Sequence, residues 1–178
     1  GMVYQIDARL RPFGRAGTLV SSVPACERYY LIQAQLWECQ VLIKASAAVG
    51  DRRLIEQVND RFEHFVYAEA IGAGGVAEIQ RVRGRMEQEL ARKTAQRFNI
   101  KTGRGGIVDV EFLVQMLQLR YGQRFAALRQ RNTLAALDAL TACGVVSAAE
   151  SQVLTQGYQF LRRLENRLRI ERDQPVEA

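Results

Sequence analysis

The sequence is poor in the side chains that build most metal and nucleophile sites. It holds a single histidine, His64, and three cysteines, Cys26, Cys39 and Cys143, which are far apart and form no C-x-x-C pair. A histidine-based metal site and Ser-His-Asp chemistry are therefore not expected, and His64 is read as a structural residue. Because the cysteines are odd in number and scattered, we expect free thiols and a cytoplasmic protein.

Long apolar runs are also missing. No stretch of about 18 or more apolar residues occurs, so no membrane span is expected, and no signal peptide is recognisable. The sequence instead has 48% hydrophobic and 25% charged residues, and its net charge is +6. That composition is typical of a globular protein, and the charge suits a phosphate-bearing substrate or an acidic protein partner. Nucleic acid is not expected as a partner, since the arginines are scattered and most aromatic residues fall at apolar helix positions.

The first residues have the pattern of a β-strand. Residues 2–11 alternate between apolar and polar side chains, and the polar face carries Asp7, Arg9 and Arg11. Two interpretations fit these three: a carboxylate that holds a divalent cation beside two phosphate-binding guanidiniums, or a surface ladder of ion pairs. A turn at residues 12–17 and a short second strand at 18–21 would complete a hairpin. Because a lone hairpin is marginal in water, we expect the chain to be a piece of a longer protein.

From Ser22 onward the apolar spacing is helical and predicts a bundle of about six helices. The first is expected to run from Ser22 to near Gly50, with Trp37 as a packed aromatic residue and Glu38 as a surface acid. Asp51 would cap the second helix, and Asn132 or Thr133 would start another. A charged helix over residues 76–96, with Arg83 beside Glu87 at i,i+4, is expected to present a solvated face. Ser147 to Glu150 fits a capping box that opens the last helix.

The segment KTGRGGIVDVEFLVQ, residues 101–115, predicts a glycine turn that leads into a helix ending near Tyr121. Free backbone N–H groups at a helix start can bind an anion, and Lys101 and Arg104 lie in the same loop, so phosphate is the natural ligand. Glycines before helices are nevertheless common, and the loop is neither a Walker loop nor a dinucleotide fingerprint.

The helix after this loop carries acids among apolar residues. Asp109 and Glu111 fall in its first turns, where the helix dipole favours negative charge. Glu111, Gln115 and Gln118 form its one polar stripe, while the other sides are apolar, so neighbours are expected all around it. A charge on such a helix must be paired, neutralised or functional.

Three motifs of the chain carry a family resemblance. Residues 101–115 resemble the second signature of the glutamine synthetase adenylyltransferase family, large bifunctional enzymes that add AMP to, and remove it from, a tyrosine of glutamine synthetase. Residues 6–20, IDARLRPFGRAGTLV, are similar to that family's D-x-R-L-R-P-x-G-x-x-G-x-L-V stretch. Between them, Trp37, Glu38, Gln40, Leu42 and Lys44 resemble its W-E-x-Q-x-L-x-K/R helix. The motifs stand in the expected order and cover nearly the whole chain.

The resemblance implies a fold class and a set of site residues. The fold would be mainly α, with a short β-hairpin remnant of a nucleotidyltransferase domain at residues 1–21 followed by a helical bundle at 22–178. Asp7 would bind Mg²⁺ and, with Glu111, would be catalytic, and ATP would be the substrate. The residues implied to contact the nucleotide or its phosphates are Arg9, Arg11, Lys101, Arg104, Gly105 and Gly106. Those implied at the rim of the site are Asp109, Gln115, Trp37, Glu38 and Lys44.

One part of the family pattern is missing. The Gly-Ser turn and Asp-x-Asp pair that supply the family's main metal ligands occur nowhere in the 178 residues. We therefore expect the chain alone to be inactive, and its longer parent to transfer AMP from ATP to glutamine synthetase. The wording I-V-D-V-E-F favours the half of the enzyme that adds AMP. The alternatives are the half that removes AMP by phosphorolysis, or a non-catalytic helical module that binds glutamine synthetase or a PII-type signal protein.

Overall fold

The computed structural model describes residues 10–91 and 99–172, which contain seven α-helices, two short 3₁₀ turns and no β-strand. The helices are α1 (Val23–Ile32), α2 (Leu36–Leu42), α3 (Arg52–Tyr67), α4 (Ala73–Ala91), α5 (Ile107–Tyr121), α6 (Thr133–Ala142) and α7 (Ala148–Arg172). The mainly helical fold class is thus confirmed. Chain contacts divide the protein into two units, Gly1–Ala68 and Glu69–Ala178, which we call the N-terminal and C-terminal units. No helix in the described ranges is both long and apolar enough to cross a membrane.

The second strand of the predicted hairpin is absent from the described residues. Residues 1–9, and with them most of the first strand, lie outside the described residues. The expected second strand at 18–21 is irregular backbone, in which Thr18 Oγ1 donates to the Val20 carbonyl at 2.8 Å and Val20 is 86% exposed. The guanidinium of Arg11 donates to the Gly17 carbonyl at 3.1 Å. Local side-chain bonds of this kind replace a strand ladder when no neighbouring strand offers one. The domain division at residues 21 and 22 stays a prediction.

The long helix expected between Ser22 and Gly50 is two helices, α1 and α2. The break occurs because the Glu38 carboxylate folds back on the start of α2, accepting from the Gln35 backbone N–H and from the Tyr29 hydroxyl, each at 2.8 Å. This is a capping box, and it buries Glu38 to 9% exposure, so the expectation of a surface acid was wrong. Sequence reasoning missed it because glutamine is a rare residue at the capping position.

The rest of the N-terminal unit packs through aromatic rings. Asp51 caps α3 as predicted, since its Oδ1 accepts from the backbone N–H groups of Arg53 and Leu54. The ring of Tyr30 on α1 lies 5.8 Å and 5.1 Å from those of Phe62 and Phe65 on α3. Burial of the Tyr30 side chain raises its pKa to about 12, so the phenol stays protonated and neutral in this core.

In the C-terminal unit, α5 is the central helix and contacts α4, α6 and α7. Its bounds agree with the prediction, including the stop at Gly122. The core that encloses it is apolar, and its most buried members are Ile107, Val114, Leu128, Ala136, Leu137 and Leu140. Both remaining caps are confirmed: the Asn132 side chain caps α6, and the Ser147 N–H donates to Glu150 Oε2 at 2.9 Å at the start of α7.

Candidate functional site

The glycine loop before α5 is closed by its own backbone. The N–H groups of Ile107 and Val108 donate to the carbonyls of Ile100 and Lys101 at 3.0 and 2.9 Å, and the Gly106 N–H donates to the Gly103 carbonyl at 2.9 Å. The start of α5 therefore does not offer the row of free N–H groups expected of an anion site. An anion at this loop would have to be bound by side chains.

The glycines are required by this closure. A Cβ atom added to Gly103 would lie 2.5 Å from the Asn99 carbonyl oxygen, and one added to Gly106 would lie 2.7 Å from that of Ile100. Gly105 has φ of +75°, a conformation that other residues rarely adopt. The spacing of the three glycines is thus explained by the shape of the turn itself, without any ligand.

Two residues that sequence reasoning did not assign to the site hold the loop in place. Asn99 Oδ1 accepts from the backbone N–H groups of Lys101 and Thr102, each at 3.0 Å. Arg83 of α4 donates from Nε to Asp109 Oδ1 at 2.5 Å and from Nη2 to the Thr102 carbonyl at 2.9 Å. The sequence N-I-K-T could have suggested the contact of Asn99, because Asn side chains commonly accept from the backbone N–H two residues later in the chain. No feature of the α4 sequence indicates the contact of Arg83 with the loop.

The burial of Arg83 corrects the interpretation of α4. The residue is 8% exposed and pairs with Asp109 across the fold, whereas the sequence predicted a solvated face and a pairing with Glu87. Asp109 is one-third exposed, and the two residues help to line a cavity of about 290 Å³ between α4 and α5. The dipole explanation for Asp109 is therefore incomplete, since its main contacts are Arg83 and the glycine loop.

The two cations of the loop remain available. Lys101 and Arg104 are both exposed, and neither side chain has a hydrogen bond or ion pair among the residues that the structure describes. Since Arg83 and Asp109 pair with each other, no acid within the described ranges forms an ion pair with Lys101 or Arg104. The loop thus carries two exposed cations on a hydrogen-bonded turn, and such cations can bind phosphate oxygens.

Glu111 is paired within the fold. Its Oε1 accepts from the Tyr158 hydroxyl at 2.8 Å and from Arg162 Nη2 at 3.1 Å, both on α7. Burial lowers the pKa of Arg162, but its hydrogen bonds to Glu165 and Tyr158 and the charge of Glu111 together raise it above its ordinary value. The guanidinium therefore stays charged beside the Glu111 carboxylate. These contacts connect α5 to α7 and occupy one oxygen of the carboxylate.

The polar stripe of α5 faces inward, as its sequence suggested. Gln115 is 8% exposed and Gln118 is 1% exposed. Gln118 Nε2 donates to the carbonyls of Leu128 and Gln130 at 2.6 and 2.7 Å, so this buried amide fastens the chain before α6 to α5. The stripe is explained by packing and hydrogen bonding inside the C-terminal unit.

The predicted site residues are divided between the two units. The C-terminal unit brings together Lys101, Arg104, Gly105, Gly106 and Asp109 in one loop, with Glu111 and Gln115 further along α5. The N-terminal unit carries Arg11, Trp37, Glu38 and Lys44, of which Trp37 is 44% exposed. Asp7 and Arg9 lie outside the described residues.

The described residues do not fit Mg²⁺ on their own. No group of three or more histidine, cysteine, aspartate or glutamate side chains capable of holding a metal ion occurs within residues 10–91 and 99–172. Asp109 and Glu111 each bond to an arginine and a second donor, and Glu38 is occupied by two donors. A hard cation needs several free oxygen ligands, so these acids are not a magnesium site.

Comparisons with known proteins cover both units. Residues 76–177 match the family model described as GlnD PII-uridylyltransferase, and residues 1–61 match the one described as glutamate-ammonia ligase adenylyltransferase. The chain is 41% identical over 93% of its length to a protein of Hahella chejuensis, 39% over 97% to one of Stenotrophomonas maltophilia, and 42% over 95% to one of Mycobacterium leprae. Each relative is named a bifunctional glutamine synthetase adenylyltransferase/adenylyl-removing enzyme. The chain spans only 17% or 18% of their length.

Proposed function

Because the chain belongs to the glutamine synthetase adenylyltransferase/adenylyl-removing enzyme family, we propose that it is part of a longer nucleotidyltransferase that transfers AMP from ATP to glutamine synthetase. The observation that carries this proposal is the glycine loop, whose closed backbone holds Lys101 and Arg104 exposed and uncompensated. A triphosphate is the part of ATP that such a pair of cations binds.

The described side chains would act by binding and orientation. Lys101 and Arg104 would contact phosphate oxygens, and the loop beneath them would keep their spacing fixed before the nucleotide arrives. Asp7 stays a predicted metal ligand, with Arg9 and Arg11 near the phosphates. Glu111 was predicted to be catalytic, but its contacts with Tyr158 and Arg162 favour a role in holding α7 on α5. Magnesium would need ligands beyond the described residues.

A second candidate is a non-catalytic helical module that binds glutamine synthetase or a PII-type signal protein. It is favoured by the lack of a metal-binding group among the described residues and by the exposed arginines 163, 167 and 169 on α7. Removal of AMP by phosphorolysis is the other alternative, and it would use the same phosphate contacts.

The proposal is tested by grafting. A chimera in which this chain replaces the matching segment of the Hahella chejuensis relative is expected to transfer radiolabelled AMP from ATP to glutamine synthetase, whereas the 178-residue chain alone is expected to transfer none. The chain alone should be inactive because it lacks the Gly-Ser and Asp-x-Asp metal motif.

The control is the unaltered relative, assayed for both addition and removal of AMP. A folded chimera that adds no AMP but removes it would assign the chain to the removing half. A folded chimera with neither activity, or turnover by the chain alone, would contradict the proposal.

A further inference from the structure

Arg83 of α4 forms three hydrogen bonds that tie it to the glycine loop and to the start of α5. From the middle of α4 it reaches Asp109 Oδ1 at 2.5 Å, the Thr102 carbonyl at 2.9 Å and the Gly103 carbonyl at 3.3 Å. Its partner Asp109 uses its second oxygen to accept from the Gly105 N–H at 2.6 Å. One ion pair therefore holds the backbone at residues 102, 103 and 105.

The Arg83–Asp109 ion pair does not involve the side chains of Lys101 and Arg104, the two cations of the loop. Lys101 and Arg104 alternate with the anchored positions, and both are exposed. Arg83 thus fixes the backbone on either side of Arg104, and it pairs with Asp109, the acid that accepts from the Gly105 N–H.

Burial of Arg83 is not explained by a gain in folding stability. Its Nη1 is buried without a hydrogen-bond partner, and so is Oγ1 of the adjacent Thr102. Buried ion pairs add little over apolar side chains of similar size, and unpaired buried polar atoms are destabilising. Ile79, one turn earlier on α4, shows that an apolar side chain can be buried on this helix. An apolar residue at position 83 could not donate to Asp109 and to the carbonyls of Thr102 and Gly103 at the same time.

We propose that Arg83 is a positioning residue, which sets the spacing of Lys101 and Arg104 for the phosphates of a nucleotide. This inference rests on the proposed function. The guanidinium is suited to the task because its donors lie in a rigid planar fork, so one side chain can bond Asp109 and two carbonyls in fixed directions. A lysine ammonium could pair with Asp109 but could not reproduce that fork.

The test compares Arg83→Met and Arg83→Lys with Arg85→Met, which changes an exposed arginine of the same helix. ATP affinity of the 178-residue chain and amide hydrogen exchange of residues 102–106 are measured for each variant, after circular dichroism confirms the helices. Arg83→Met is expected to weaken ATP binding about tenfold and to speed loop exchange about tenfold or more. Arg83→Lys should fall between Arg83→Met and the unaltered chain, and Arg85→Met should change neither quantity.

A double-mutant cycle separates positioning from simple support. In the unaltered background Arg104→Ala is expected to weaken ATP binding about tenfold, but in the Arg83→Met background it should cost less than about twofold, because the two residues act through the same contact. Additive losses, or a folded Arg83→Met chain with unchanged ATP affinity, would overturn the inference. No ATP binding by the unaltered chain would instead count against the proposed function, and loop exchange would still decide whether Arg83 anchors the loop.

Discussion

Replacing Gly106 by alanine is expected to lower the unfolding free energy of the C-terminal unit by about 2–3 kcal/mol. The added Cβ would lie 2.7 Å from the Ile100 carbonyl oxygen and 2.8 Å from that of Gly103, and both oxygens are backbone atoms that already accept bonds closing the loop. The loop would have to open to make room. Urea unfolding followed by far-ultraviolet circular dichroism measures the loss.

The matched control is Gly157→Ala in α7. Nothing lies within 4 Å of a Cβ built at Gly157, which is exposed in the middle of the helix. Alanine is favoured over glycine there by about 1 kcal/mol, so this variant should be slightly more stable than the unaltered chain. If both glycine substitutions changed stability by the same amount, the close packing of the loop would be refuted.

The largest loss of stability is expected for Leu137→Ala, at about 3–5 kcal/mol. Leu137 lies on α6 with no exposed surface, in the apolar core that α5, α6 and α7 share. Truncation removes apolar burial and leaves a cavity that the surrounding helices cannot fully close. The same urea unfolding experiment measures the loss.

Leu19→Ala provides the same substitution at a residue that is 80% exposed. It should change the unfolding free energy by less than about 0.5 kcal/mol. A comparable loss in the two leucine variants would contradict the placement of the core. Below its unfolding transition, the Leu137 variant should still bind ATP like the unaltered chain, since Lys101 and Arg104 are exposed and are not members of the apolar core.

Local signals in the sequence were sufficient where a helix end depends on nearby residues. The start and stop of α5, the cap by Asp51 and the capping box at Ser147 all agree with the structure. Each of these helix ends depends on side chains or glycines that lie within a few residues of it in the sequence.

Contacts between distant residues could not be predicted in this way. Arg83 and Asp109 are 26 positions apart, and Glu111 and Arg162 are 51 apart, so neither pairing leaves a periodic trace in the sequence. The returning strand predicted at residues 18–21 is wrong because a strand also needs a partner, which the pattern of one segment does not supply.

The glycine turn that leads into α5 was predicted from the sequence, but the reason for each glycine was not. The sequence suggested free backbone N–H groups for a phosphate, whereas Cβ atoms at Gly103 and Gly106 would meet the carbonyl oxygens of Asn99 and Ile100. That this loop is a functional site stays a prediction. The proposed binding of phosphate would therefore depend on Lys101 and Arg104, which are exposed on a turn whose backbone hydrogen bonds close without a ligand.

An ATP titration followed by amide nuclear magnetic resonance tests this dependence most directly. For the unaltered chain we expect saturable shifts centred on residues 101–106, with Arg104→Ala weakening the binding about tenfold and Arg85→Ala leaving it unchanged. Loop amides that do not respond to ATP, or an Arg104→Ala variant that binds as tightly as Arg85→Ala, would contradict the account.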